Sequence, residues 1–223
     1  MQPIGHVRTC YPEKFGVPRQ AGLVPSATGR LTFEREFGRE EALRGLEGFS
    51  HLWLTFLFHL VAEEETRLSV RPPRLGGNER VGVFATRSPF RPNRIGLSAV
   101  RLLGIGEDGE GCPALELGGV DLVDGTPVLD VRPYLPYADA IPGADGGFAG
   151  ESPASVPVVI DSKCEEAFAA LPAAVQQLVR ETLALDPRPR YQTEDERSYV
   201  TAIAEGQVKW CFRGGTVHIT AIF

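Results

Sequence analysis

The sequence predicts a mainly β fold, an antiparallel sandwich or barrel, with a small α+β unit behind it. Three observations predict this. Short apolar or alternating runs recur at close spacing. The 25 glycines and 18 prolines supply turns between them. The one long helical pattern falls near the C-terminus. With 223 residues, 43% of them apolar, the chain can build one large domain and a smaller companion.

Residues 4–8 alternate apolar and polar and read as a first strand. Residues 11–22, dense in turn formers, read as a long loop, a length often tied to function. Residues 40–46 fit a short helix ending at Gly45 or Gly48. Residues 50–60, SHLWLTFLFHL, fit a buried strand, with a buried helix as the alternative. Residues 71–78 are irregular, because Pro72 and Pro73 remove backbone donors and Gly76-Gly77 loosens the chain. Strands follow at 81–86, 95–105, 114–118 and 126–131, with a loop at 88–93.

Composition then shifts to Pro, Ala, Gly and Asp over 133–157. The expected division is a barrel-type domain over 1–138, a linker over 139–157 and an α+β domain over 158–223. In the last of these, residues 162–185 are helical, interrupted at Pro172 and stopped by Asp186-Pro-Arg-Pro189. Strands at 199–204, 208–212 and 217–222 close the chain.

The N-terminus MQPIGHVRTC lacks the basic-then-apolar pattern of a signal peptide, and the longest apolar run, within 52–60, is far short of a bilayer span. Cys10, Cys112, Cys164 and Cys211 are scattered, which points away from a disulfide framework or zinc site. A cytoplasmic protein with no membrane association and no metal is expected. The net charge is −6, yet residues 66–101 hold eight arginines against Glu79, a local +7 that leaves −13 elsewhere. Arginine forks suit phosphate and carboxylate oxygens, although a charge run also serves as a solvated face.

Gly104-Ile-Gly-Glu-Asp-Gly109 matches a dinucleotide-loop pattern, but Glu110-Gly-Cys-Pro113 follows where a helix is required. It reads as a hairpin turn. The suggestive polar groups lie instead in four turn-rich segments: Pro18-Arg19-Gln20, His59, residues 85–94, and residues 121–124. Each has a plainer reading. Asp124-Gly125 is a common turn pair, His59 has the apolar neighbours of a core histidine, and Arg19 fits an open surface.

The segments EKFGVPRQ (13–20), RGLEGFSHLW (44–53), RPPRLGGNERVGVFATRSPFRPNRIGLS (71–98), LGGVDLVDGTPVLDVRPYLPYA (117–138) and DPRPRY (186–191) resemble, in the same order, the motif blocks of the TsaA-like tRNA methyltransferases. The resemblance implies an antiparallel β-barrel rather than a Rossmann fold, a small C-terminal domain and a homodimer. It also implies S-adenosylmethionine as cofactor. The implied substrate is tRNA carrying threonylcarbamoyladenosine at position 37, methylated at N6. Cofactor contacts carry over to Pro18, Arg19, Gln20, His59, Leu60, Arg87, Leu97, Asp121, Leu122, Val123 and Asp124. On the tRNA side stand Arg71, Arg74, Arg91, Asn93 and Arg94. Leu60 stands where the family suggests Gln, and Arg94 where it suggests Pro.

The proton released from N6 needs an acceptor, and His59, Asp121 and Asp124 are the candidates. Two other readings compete. One is a barrel that binds S-adenosylmethionine or a nucleoside without chemistry. The other is a metal-dependent hydrolase built on Asp121 and Asp124.

Overall fold

The structure is a computed structural model, and it describes residues 1–188 and 197–223. Six strands close into an antiparallel barrel: β1 (Gly5–Thr9), β2 (Thr28–Phe33), β3 (His51–Leu57), β6 (Ile95–Glu107), β7 (Pro113–Gly118) and β8 (Thr126–Pro133). Their order around the barrel is β1-β2-β7-β6-β3-β8. Between β3 and β6 lies a two-stranded ribbon of β4 (Ser69–Val70) and β5 (Val81–Gly82). The barrel reading therefore holds over the sandwich.

Period-two patterning builds this barrel. In β3 every second residue, Leu52, Leu54 and Phe56, is buried, while His51, Trp53 and Thr55 turn outward. That settles residues 50–60 as a strand. Val7, Leu31, Leu52, Leu54, Leu115, Leu117 and Val128 fill the interior with no exposed surface, and a small barrel of this kind is a packed core rather than a pore. Gly96 on β6 has to be glycine, because a Cβ there would lie 2.2 Å from Cζ of Phe56.

The structure departs from the sequence expectations in several places. β2 was not expected, and neither was β9 (Val158–Ile160). The strand expected at 81–86 stops at Gly82. Val83–Ala85 instead turns tightly, held by Val83 N–H donating to the Leu68 carbonyl at 3.0 Å. The helix expected at 40–46 covers only α1 (Glu40–Leu43), followed by a turn at Leu46–Gly48. A short helix, α2 (Pro136–Asp139), leads into the expected linker. Residues 146–153 of that segment run alongside the barrel loops, where Arg74 donates to the Glu151 carbonyl.

The C-terminal unit has two helices, α3 (Glu165–Ala169) and α4 (Ala173–Ala184), separated at Pro172 as expected. They pack on a sheet of order β10-β11-β12-β9, formed by β10 (Ser198–Ile203), β11 (Gly206–Arg213), β12 (Thr216–Ile222) and β9. β9 joins β12 in parallel. Of the DPRPRY segment, residues 189–191 lie outside the described residues. Core residues of the barrel and of this unit, from Tyr11 and Val24 to Leu183 and Trp210, form one continuous cluster.

Candidate functional site

Four loops meet around one open hollow of about 2290 Å³. They are the long segment after β1, the chain leaving β3, the turn after β5 and the β7–β8 connection. Each is set by buried neighbours. In the β7–β8 loop, Val120 (0% exposed) and Leu122 (2%) are driven into the core, so Asp121 between them is left to the hollow. Val83 anchors the turn after β5, and Thr86 Oγ1 donates to its carbonyl at 2.8 Å. Arg87 follows immediately and is thrown outward, where it donates to the side-chain oxygen of Gln20.

Asp121 has the most unusual environment. Its Oδ1 is buried and accepts no hydrogen bond from the described residues. Burial pushes its pKa up to about 6, against the opposing pull of a Ser98 hydrogen bond and the Arg87 charge. Ser98 is buried, at an inward position of β6. An unsatisfied buried carboxylate oxygen costs on the order of 1–3 kcal/mol, so it marks a place for a donor that the described residues do not supply.

Most of the expected cofactor contacts gather here. Pro18 is buried beneath the rim while Arg19 and Gln20 stand over it. His59 and Leu60 line the hollow from the end of β3, Leu97 from the outer face of β6, and Leu122 and Val123 from the β7–β8 loop. Partial burial, with His6 nearby, holds His59 below the usual imidazole range, so it is neutral at pH 7. The carbonyl of Leu60 accepts from Lys14 Nζ, so this position contributes its backbone.

Other expected residues are engaged elsewhere or stand apart from the hollow. Asp124 does not line the hollow: Thr9 N–H donates to it at 2.9 Å and Arg8 at 3.2 Å, so its carboxylate fastens the β7–β8 loop to β1. The Leu122 carbonyl is taken by Thr9 Oγ1 at 2.9 Å. Arg94 turns back to the Val61 carbonyl at 2.8 Å, and neither it nor exposed Asn93 borders the hollow. Asp121 and Asp124 thus face different partners instead of one shared metal.

The arginine-rich segment supplies the rest of the rim. Arg71, Arg74, Arg80 and Arg91 border the same hollow, with Arg67 held over the Phe90 ring at 4.7 Å. Arg91 donates to the Thr86 carbonyl at 3.0 Å and so braces the turn that carries Arg87. Sequence reasoning missed Ser98 and Lys14. Ser98 had a readable signal, a polar residue at an inward position of a strand; Lys14 had none.

Comparison with known proteins fits this geometry. Residues 6–140 match the family model for the tRNA-methyltransferase O N-terminal domain, and residues 153–223 match that for the TrmO C-terminal domain. The chain is 46% identical over 215 residues to the tRNA (adenine(37)-N6)-methyltransferase of Escherichia coli, covering 94% of this chain and 91% of that protein. It is 47% identical, with the same coverage, to a Pseudomonas aeruginosa protein named as a candidate S-adenosylmethionine-dependent methyltransferase. A crystal structure of TrmO superposes with a TM-score of 0.79 at 40% identity, covering 99% of this chain and 96% of that one. TrmO from Pseudomonas aeruginosa gives 0.78 at 38% identity, covering 100% and 96%. A closed barrel with strand-end loops around Asp121, and a match at both ends of the chain, make this protein a member of the tRNA-methyltransferase O family.

Proposed function

We propose that the protein transfers a methyl group from S-adenosylmethionine to N6 of adenosine 37 in tRNA, on adenosines that carry a threonylcarbamoyl group. The observation that carries this reading is Asp121 Oδ1, without a hydrogen-bond partner among the described residues and set in a hollow that also holds Gln20, His59 and Arg87. Amino and hydroxyl groups of the cofactor are donors of the kind this oxygen lacks. Bound S-adenosylmethionine supplies an activated methyl on a positive sulfonium.

The chain's residues then divide the work. Asp121 holds a hydroxyl or amino group rather than the sulfonium, since a tight grip on a charge that fades during transfer would favour the ground state. Arg87 offers a fork to a carboxylate, either the methionyl end of the cofactor or the threonyl group on the base. The exocyclic N6 is a weak nucleophile, because its lone pair feeds the ring. Orienting it within roughly 3 Å of the methyl carbon is most of the task. Its proton passes to His59, neutral at pH 7, or to Asp121, in preference to Asp124, which Arg8 and Thr9 already engage.

The arginine rim explains how a chain of net charge −6 holds an anionic substrate. If Arg67, Arg71, Arg74, Arg80 and Arg91 each meet a phosphate, tRNA affinity falls about 10²–10³-fold between 50 and 200 mM salt. A titration by fluorescence anisotropy that gave a flat salt dependence would remove the rim from the interface. The same reading makes the protein a cytoplasmic homodimer. Leu103 and Ile105, exposed toward the far end of β6, would be covered by a second copy.

The direct test is incubation with methyl-labelled S-adenosylmethionine and tRNA that carries or lacks the threonylcarbamoyl group, followed by nucleoside mass spectrometry. Label in the modified adenosine supports the reading. Cofactor binding with no label in RNA would instead make the protein a non-catalytic binding barrel.

A further inference from the structure

The segment that carries Pro18, Arg19 and Gln20 is gripped by the C-terminal sheet as well as by the barrel. Phe15 stacks on Trp210 with centroids 6.3 Å apart and rings inclined by 7°, and on Tyr199 at 6.1 Å and 23°. Tyr199 and Trp210 are themselves stacked at 4.8 Å. Trp210 is fully buried, and its Nε1 donates to Thr201 Oγ1 at 2.9 Å, so this aromatic face is fixed before Phe15 reaches it. The neighbours of Phe15 are held by the same sheet. Ala204 N–H donates to the Cys10 carbonyl at 2.7 Å, and Ala202 N–H to Glu13 Oε1 at 3.3 Å. Tyr11 pairs with Thr182 of α4 at 3.1 Å, both hydroxyls buried.

Gly16 completes the seat. Its φ is +98°, and a Cβ there would lie 2.4 Å from Cγ2 of Thr201. From this seat the segment reaches the other walls of the hollow: Lys14 bonds the Leu60 carbonyl and Gln20 meets Arg87.

We infer that the C-terminal unit is part of the scaffold of the cofactor site: its Tyr199–Trp210 face, through Phe15, holds Pro18-Arg19-Gln20 in place over the hollow. This rests on the reading of that hollow as the S-adenosylmethionine site. Phe15 is a positioning residue, acting through Pro18, Arg19 and Gln20.

The test uses the full chain and isothermal titration with S-adenosylmethionine. Phe15→Ala is expected to weaken binding about tenfold, the cost of re-ordering one or two side chains on each binding event. Phe15→Tyr, which keeps the stack, should bind within about twofold of the unaltered protein. In turnover, the KM for the cofactor rises in Phe15→Ala while kcat at saturating cofactor holds; loss of folded protein alone would lower kcat and leave KM unchanged. Gly16→Ala, which pushes the segment off Thr201, is a second probe should Phe15→Ala fail to fold, and it too should bind the cofactor more weakly. Unaltered cofactor affinity in a folded Phe15→Ala or Gly16→Ala variant overturns the inference. If the unaltered protein does not bind S-adenosylmethionine, the functional reading itself fails, a separate result.

Discussion

Asp121→Asn is expected to make the protein more stable at neutral pH and to cripple it as an enzyme. The carboxyl is pushed up to about 6 in the folded protein by burial, from an ordinary value of 3.8. Folding therefore disfavours its ionised form. The native state carries no penalty from this group below the unfolded pKa, and loses stability as pH rises through about 6. At pH 8 that loss is on the order of 3 kcal/mol, with the opposing pull of the Ser98 hydrogen bond and the Arg87 charge already included in the shift. Urea midpoints of the two proteins should thus nearly coincide at pH 4 and separate in favour of Asp121→Asn by pH 8. Cofactor affinity should move the other way. The unaltered protein should bind more tightly as pH rises through about 6, and the variant should be flat and about 10–100-fold weaker at pH 8, the range for losing a hydrogen bond to a charged group. Equal affinities at pH 8 would remove Asp121 from the site.

Arg87→Ala is expected to lower methyl transfer by about 10²-fold, the scale of a lost positioning contact in the reacting assembly. Arg87 is exposed and donates to Gln20, so its removal leaves the core and the melting temperature unchanged. Arg87→Lys should recover only part of the activity, because an ammonium cannot form the paired fork. Steady-state kinetics with both substrates varied will show which carboxylate the fork meets. A raised KM for S-adenosylmethionine points to the methionyl end, and a raised KM for tRNA points to the threonyl group. Normal turnover by Arg87→Ala would exclude both.

How much of this could be read from the sequence depended on whether the determinants were local. β3 was legible because Leu52, Leu54 and Phe56 announce one buried face within seven residues. β9 was not. Its three residues, Val-Val-Ile, become a strand only because β12, almost sixty residues later, offers a parallel edge. β2 was hidden for a similar reason: TGRLTF is weakly patterned and is held by β1 on one side and β7 on the other. Residues 81–86 failed in the opposite sense. Their β-forming composition is overridden by the anchoring of Val83.

In the site, the four loops were legible as positions, and the resemblance supplied their roles. Their convergence on one hollow was not legible, since Gln20, Arg87 and Asp121 are brought together from strand ends far apart in the chain. Asp124 shows the limit. From sequence it matches Asp121 in type and lies three residues away, yet Arg8, 116 residues distant, claims its carboxylate.

The barrel closes by pairing its first strand with its last, Gly5 opposite Val128, and Phe15 finds its seat only against Tyr199 and Trp210. On a ribosome these residues emerge in order, so the N-terminal strand must wait for more than half of the chain before the ring can shut. The segment behind it waits nearly to the end of synthesis. Folding is consequently dominated by contacts between remote residues, a regime of slow, late assembly. A nascent chain therefore completes the walls of its hollow only when almost the whole sequence has been made.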